Sequence, residues 1–298
     1  MRTTKRFTPK VIARFERQGR GTGTYAEYRP WHGVSRGDPS SIGRSHLLTW
    51  RGRLRELLSD GELGQQLFAT MLPNLDDCLE QYKLSTEASP HLLAAYGFGS
   101  DSELFPGTVE LANALGIKHP QVYGDGATEL WRASTDLVLV RRTPSGHPDA
   151  LALAFKPADW RPTRRAWQLM RLEREFWLRR NVEWLLITPA LYDERVALTL
   201  RRTGCWALDA EEPDETRRLA TAIARECPFD SLTRVLERIA VHTGSMESAQ
   251  RATWQAAWRG DLPVDLRRGW RPHTPLALLP GSDYLALNPV ASRRSAWI

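Results

Sequence analysis

Residues 134–157 read STDLVLVRRTPSGHPDALALAFKP. Two apolar runs flank a polar turn, so Asp136 begins one strand and Lys156 ends the next, and the ends of an antiparallel hairpin meet. The midpoint of 136 and 156 falls on Gly146 of the Pro144-Ser145-Gly146-His147 turn, where a hairpin of that register reverses. A carboxylate and an ammonium then project from adjacent strand ends. Metal-dependent nucleases use this layout: an acid holds a divalent ion while a nearby lysine orients the water that attacks a phosphodiester.

Composition sharpens the lysine. Of 41 basic residues only Lys5, Lys10, Lys83, Lys118 and Lys156 are lysines, which leaves 36 arginines. A GC-rich genome explains such a bias, yet a lysine kept at the end of a buried strand differs from an arginine in kind. Its ammonium is compact and can lose its proton, whereas guanidinium effectively cannot.

With 298 residues and 42% hydrophobic content, the chain has the length of one large domain or two. No run approaches the roughly 18 to 20 apolar residues of a membrane span, and no apolar segment follows the basic N-terminus, so a cytoplasmic bacterial address is expected. Cys78, Cys205 and Cys227 are too scattered for a disulfide framework or a CxxC site, and the histidines lack zinc-ligand spacing.

The net charge of +6 is carried by residues 1–30, where Arg2, Lys5, Arg6, Lys10, Arg14, Arg17, Arg20 and Arg29 oppose Glu16 and Glu27. With Gly19, Gly21 and Gly23 interleaved, this segment suits an arm lying on a phosphate backbone, or a solubilising tail. Lys5, Arg6, Lys10, Arg14, Arg17 and Arg20 are its candidate nucleic-acid contacts.

Downstream, a helix over 9–18 precedes a Gly/Pro/Ser-rich connector over 19–45, and 47–58 reads as a hairpin turning at Arg51-Gly52. Ser59-Asp60-Gly61-Glu62 opens a helix, 75–84 is a strand, and 85–133 is irregular apart from a helix at 107–117. After the central hairpin come a helix over 163–180 and a strand over 183–188. The core order is therefore helix, strand, strand, strand, helix, strand, that of a restriction-endonuclease-like fold with a mixed α/β sheet. From 190 onward four helices precede a short β-hairpin over 260–279, the pattern of a winged-helix module. The expected domains are a basic arm and connector at 1–45, a restriction-endonuclease-like catalytic domain at 46–189 and a winged-helix-like domain at 190–298.

Two further acids join the hairpin. Glu62 stands one turn into the first core helix, although Ser59-x-x-Glu62 also spells a capping box. Glu173 lies on the helix that follows Lys156. No phosphate-binding loop, GxSxG elbow, HExxH or dinucleotide fingerprint appears.

With these pieces assembled, the chain resembles the TnsA family, endonuclease subunits of heteromeric DNA transposases. The matching stretches are Gly19-Arg20-Gly21, Tyr28-Arg29-Pro30-Trp31, Ser40-Ser41-x-Gly43-Arg44-Ser45-His46, Leu57-Leu58-Ser59-Asp60-x-Glu62-Leu63, Gly116-Ile117-Lys118-His119-Pro120, Ser134-Thr135-Asp136, Lys156-Pro157 and Leu172-Glu173-Arg174. The C-terminal half matches chiefly through residues 260–266 and 274–276. The resemblance implies a magnesium-dependent nuclease, with manganese as substitute, that cuts the 5′ strands at transposon ends. It implies transposon-end DNA, a TnsB-like DDE transposase and a TnsC-like AAA+ ATPase as partners, and it assigns partner binding to the domain at 190–298. An RNA-guided complex or a sequence-specific DNA binder stands open as the targeting module. Carried over, Glu62 and Asp136 are metal ligands, Lys156 is the catalytic lysine and Glu173 a further site acid. Arg44 and Lys118 join the arm as nucleic-acid contacts.

One departure concerns Ala154. Nucleases of this fold usually carry Asp or Glu, or in TnsA Gln, two residues before the lysine, and a methyl group cannot ligate Mg²⁺. The site then leans on Glu62, Asp136, the Phe155 carbonyl, water and Glu173. Weaker binding of a second metal is the expectation. Two other readings follow: a stand-alone restriction or repair nuclease, and a catalytically weak DNA-bound adaptor.

Overall fold

The computed structural model describes residues 6–38, 40, 44–124, 126–143 and 145–297. Arg2, Lys5, Ser41, Gly43 and Pro144 lie outside the described residues. The chain divides into two compact units, one of Met1–Leu63 with Asn74–Leu186 and Trp297, the other of Gly64–Pro73 with Ile187–Ala296.

The first unit is built on a four-stranded mixed sheet, β3 (Leu75–Lys83), β6 (Ser134–Arg142), β7 (Pro148–Phe155) and β8 (Glu183–Ile187), neighbours in that order. Helix α2 (Asp60–Thr70) precedes β3 and helix α4 (Arg164–Leu178) separates β7 from β8, so the expected core order is observed. Leu137–Val140 and Ala150–Ala154 are buried without alternation, because both faces of these strands are covered. Helix α4 starts where Thr163 Oγ1 accepts from the Ala166 amide (3.1 Å) and buries Met170, Leu172, Phe176 and Trp177.

The central hairpin departs from the expected register by one pleat. Leu137 faces Leu153 and Arg142 faces Pro148, so the reversal centres on Ser145 rather than Gly146. The cause lies in the loop. It closes between Thr143 and His147 (2.8 Å) with Gly146 in the left-handed region at φ 81°, the geometry of a short hairpin ending in a glycine. One further step along the register sets Asp136 opposite Ala154, and Lys156 falls just past the strand end.

Hairpin β1 (His46–Trp50) and β2 (Arg53–Leu57) turns at Arg51-Gly52 as expected, both at positive φ. It is sewn to β3 by a buried ion network. Arg53 pairs with Glu80 through both oxygens, and Arg55 lies 3.6 Å from Glu80 and 3.8 Å from Asp77. Asp77 also accepts from the Tyr25 amide (2.7 Å) and the Tyr96 hydroxyl (2.8 Å).

Two differences come from elements the sequence disguised. Helix α1 (Pro9–Arg17) is no loose arm: Ile12 and Phe15 are fully buried against Trp31, with Phe7, Val122 and Trp131 packed around them. The stretch read as a loop after helix α3 (Thr108–Ala114) contains a small hairpin, β4 (Gln121–Gly124) and β5 (Ala127–Leu130), whose Val122 joins that cluster.

The second unit holds α5 (Glu194–Ala207), α6 (Asp214–Glu226), α7 (Leu232–Thr243), α8 (Met246–Arg259) and the short α9 (Gly281–Ala286). Helix α8 is buried almost all round through Ala249, Ala252, Thr253, Trp254, Ala256, Ala257 and Trp258. The expected β-hairpin over 260–279 is reduced to single bridges, Val264 with Leu278 and Ser231 with Pro275. Pro263, Pro272 and Pro275 interrupt this stretch and remove the amides a ladder needs.

Glu80→Ala would leave two buried arginines without their shared carboxylate and should cost about 3–5 kcal/mol. Asp149→Ala, which breaks the more exposed Arg141–Asp149 pair, should cost roughly 1 kcal/mol or less. Urea denaturation of both variants checks the difference.

Candidate active site

Three strands and one helix start converge where β3, β6 and β7 lie side by side. Gly61 sits at the beginning of α2 because a Cβ there would lie 1.9 Å from Phe155 Cε1, so only glycine lets the helix approach the end of β7. The next residue is Glu62. Its amide bonds Ser59 Oγ (3.1 Å) and Ser59 Oγ donates back to Oε1 (3.3 Å), so the capping box is real. Its Oε2 does something else: it accepts from the Leu58 amide (2.9 Å) and from Gln81 Nε2 (3.3 Å).

That same Gln81 nitrogen donates to Asp136 Oδ1 at 3.3 Å. The two carboxylate oxygens therefore lie within two such bonds of each other. Asp136 Oδ2 accepts from the Phe155 amide (2.7 Å), which ties the acid to the residue before Lys156. Glu173, on the buried side of α4, accepts at Oε1 from Thr135 Oγ1 (2.8 Å) and Trp184 Nε1 (3.2 Å), and Trp177 Nε1 holds Thr135 in turn (2.8 Å). Lys156, Glu173, Ser134, His119, Trp131 and Trp160 line one cavity of about 280 Å³. Glu62 and Asp136 are thus joined by an amide, whereas Lys156 and Glu173 meet across a cavity.

Gln81 escaped the sequence reading. It is buried in β3, flanked by Glu80 facing Leu137 and Tyr82 facing Thr135, so its partner across the sheet is Asp136. Its φ is +49°, a left-handed conformation that costs a non-glycine residue about 1–3 kcal/mol and persists only where the surroundings enforce it. The backbone is held by the Trp31 amide on the Gln81 carbonyl (3.1 Å), and Ser134 Oγ donates to Oε1 (2.9 Å).

The acids press on one another. Burial, then the charge of Asp136, pushes the Glu62 carboxyl up to about 7, against the opposing bonds from Leu58, Gln81 and Ser59. Burial and Asp136 likewise raise Glu173 to about 7, while Lys156, Thr135 and Trp184 pull it down. Oxygen donors crowded with uncompensated negative charge suit a hard divalent cation, and Mg²⁺ commonly takes only one or two carboxylates beside water and phosphate oxygens. Among the described residues no group of three or more His, Cys, Asp or Glu side chains is placed to hold a metal. The donor set fits a cation that completes its shell with other oxygens.

Over 184 residues the chain is 30% identical to the Transposon Tn7 transposition protein TnsA of Escherichia coli. Over that stretch the chain is similar to TnsA. That match spans 61% of this chain and 58% of the TnsA relative, and no family model matches. The resemblance read from the motifs therefore stands on an independent alignment.

The candidate nucleic-acid residues are differently engaged. Arg6 and Arg14 donate to the carbonyls of Tyr123 (3.1 Å) and Gly37 (3.0 Å), and Arg20 pairs with buried Asp38 (2.6 Å) while lying 3.9 Å over the Phe15 ring. Arg44 bonds Asp60 (2.9 Å) with its side chain largely exposed; Lys10, Arg17 and Lys118 are exposed.

A carboxyl whose pKa rises on folding binds more protons in the native state than in the unfolded one, so stability falls as pH rises between the two values. For Glu62 and Glu173 that window runs from 4.5 to about 7. In EDTA, urea midpoints of the wild type should decline across it, and Glu62→Gln or Glu173→Gln should flatten the decline.

Proposed function

We propose that this chain is a Mg²⁺-dependent endonuclease subunit of a cut-and-paste DNA transposition system, cleaving the 5′ strands at the ends of its element. The observation that carries the reading is the convergence of Glu62 and Asp136 on one point, beside the peptide that leads into Lys156. The likeness to a transposition protein supplies the biological setting. Transposon-end DNA, a TnsB-like transposase and a TnsC-like ATPase are the partners this reading requires, with Mn²⁺ as a substitute metal.

Glu62 and Asp136 would hold the metal, with the Phe155 carbonyl as a further oxygen. A divalent cation held by these residues would supply Lewis-acid charge at the scissile phosphate and favour deprotonation of the attacking water. Lys156, which lines a cavity with Glu173, would orient the attacking water or offset the charge that develops on the phosphate. Glu173 keeps the ammonium in place through their mutual attraction, which also lowers its own pKa. No covalent intermediate with the protein is required.

Ala154 favours a second reading, a DNA-bound adaptor with weak cleavage of its own. The two readings part on one experiment. In the complete transposase assembly, Asp136→Ala should abolish 5′-strand nicking while the protein stays folded by circular dichroism, with a stability loss of roughly 1–3 kcal/mol from the unmet Phe155 amide. Normal nicking by that variant would overturn the nuclease assignment. Transposition that survives without any 5′ nicking would favour the adaptor.

A further inference from the structure

Register places three residues in one row across the sheet. Between the pairs Glu80–Leu137 and Tyr82–Thr135, Gln81 of β3 falls opposite Asp136 of β6, and one step beyond Leu137–Leu153 Asp136 falls opposite Ala154 of β7. The methyl of Ala154 stands where a polar ligand is usual, and a polar amide stands at the other end of the same row. Both are buried.

We propose that Gln81 supplies the oxygen ligand that position 154 lacks. This rests on the metal-dependent reading of the site. Nε2 donates to both carboxylates, at 3.3 Å each, and so stands at the point between them that a cation would take. An amide is nearly symmetric in shape, and a half-turn of the terminal group exchanges its donor for its acceptor. Oε1 would then face the carboxylates' shared point.

The surroundings permit that exchange. Ser134 Oγ, which donates to Oε1 at 2.9 Å, is a hydroxyl and can equally accept from Nε2. The backbone need not move, because the Trp31 amide fixes the Gln81 carbonyl and the left-handed φ aims the side chain at the site in either state. A carboxylate at this position would also ligate, but it would add a further charge to Glu62 and Asp136 when no cation is bound. The amide answers both acids as a donor and would serve a cation as a neutral ligand.

Titration of the full-length protein with Mn²⁺, followed by electron paramagnetic resonance and calorimetry, tests this without reference to cleavage. Gln81→Met, which keeps the volume and removes the amide, should weaken Mn²⁺ binding on the order of tenfold or more, the scale for losing a group that tunes a metal site. Gln81→Glu should retain binding, and Ala154→Gln should restore it in the Gln81→Met background while adding little to the wild type. Circular dichroism and urea midpoints establish that each variant is folded. Wild-type affinity in Gln81→Met, with binding lost in Asp136→Ala, overturns this inference and leaves the two-carboxylate site standing. A wild type that binds no Mn²⁺ overturns both.

Discussion

The candidate site depends on one constraint, the antiparallel register of β3, β6 and β7. A single-residue slip in a strand sends every side chain to the opposite face. The runs Leu137–Val140 and Ala150–Ala154 are apolar on both faces and do not themselves mark the register, so their polar ends must. The Asp136 carboxylate locks the same register locally by accepting the Phe155 amide at 2.7 Å. The acid that would hold a metal is thus also a structural clasp, and the residue leading into Lys156 is placed by it.

Charge is distributed along β3 according to what faces each side chain. Asp77 and Glu80 are buried, and both are answered by Arg53 and Arg55 from the neighbouring hairpin. The next residue, Gln81, donates to two acids, Glu62 and Asp136, and accepts only from the Ser134 hydroxyl at its side chain. Burial, with the charge of Asp136 added to it, already raises Glu62 and Glu173 to about 7. A fourth carboxylate at Gln81 would face them with no arginine beside it. The neutral amide relieves two acids at once, which gives a physical reason for the abrupt change from Glu80 to Gln81.

What was legible in the sequence was mostly local. The apolar runs of the central hairpin, the Arg51-Gly52 turn and the Ser59–Glu62 capping box depend on neighbours within a few residues, and each forms as read. The competing readings of Glu62 proved compatible, since one carboxylate oxygen serves the cap and the other points to Gln81. The observed register differs by one pleat from the pairing of Asp136 with Lys156, because the short loop places its left-handed Gly146 one residue past the midpoint. Gln81 was hidden for a stronger reason: its meaning lies in a partner 55 positions away, and a strand of the form CLEQYK offers no sign that its glutamine is buried.

The basic N-terminal segment shows how composition and structure can assign the same residues different work. Read as charge alone, it suits a flexible arm that would order on a phosphate backbone. Folded, Ile12 and Phe15 anchor it around Trp31, and Arg6, Arg14 and Arg20 spend hydrogen bonds on Tyr123, Gly37 and Asp38. Lys10 and Arg17 stay on the exposed side of the same helix. Any nucleic acid meeting this surface encounters charges whose backbone is already ordered, so binding escapes the entropic cost that a disordered arm would carry. Positive charge here therefore serves two ends, with the inward arginines building the platform on which the outward cations are displayed.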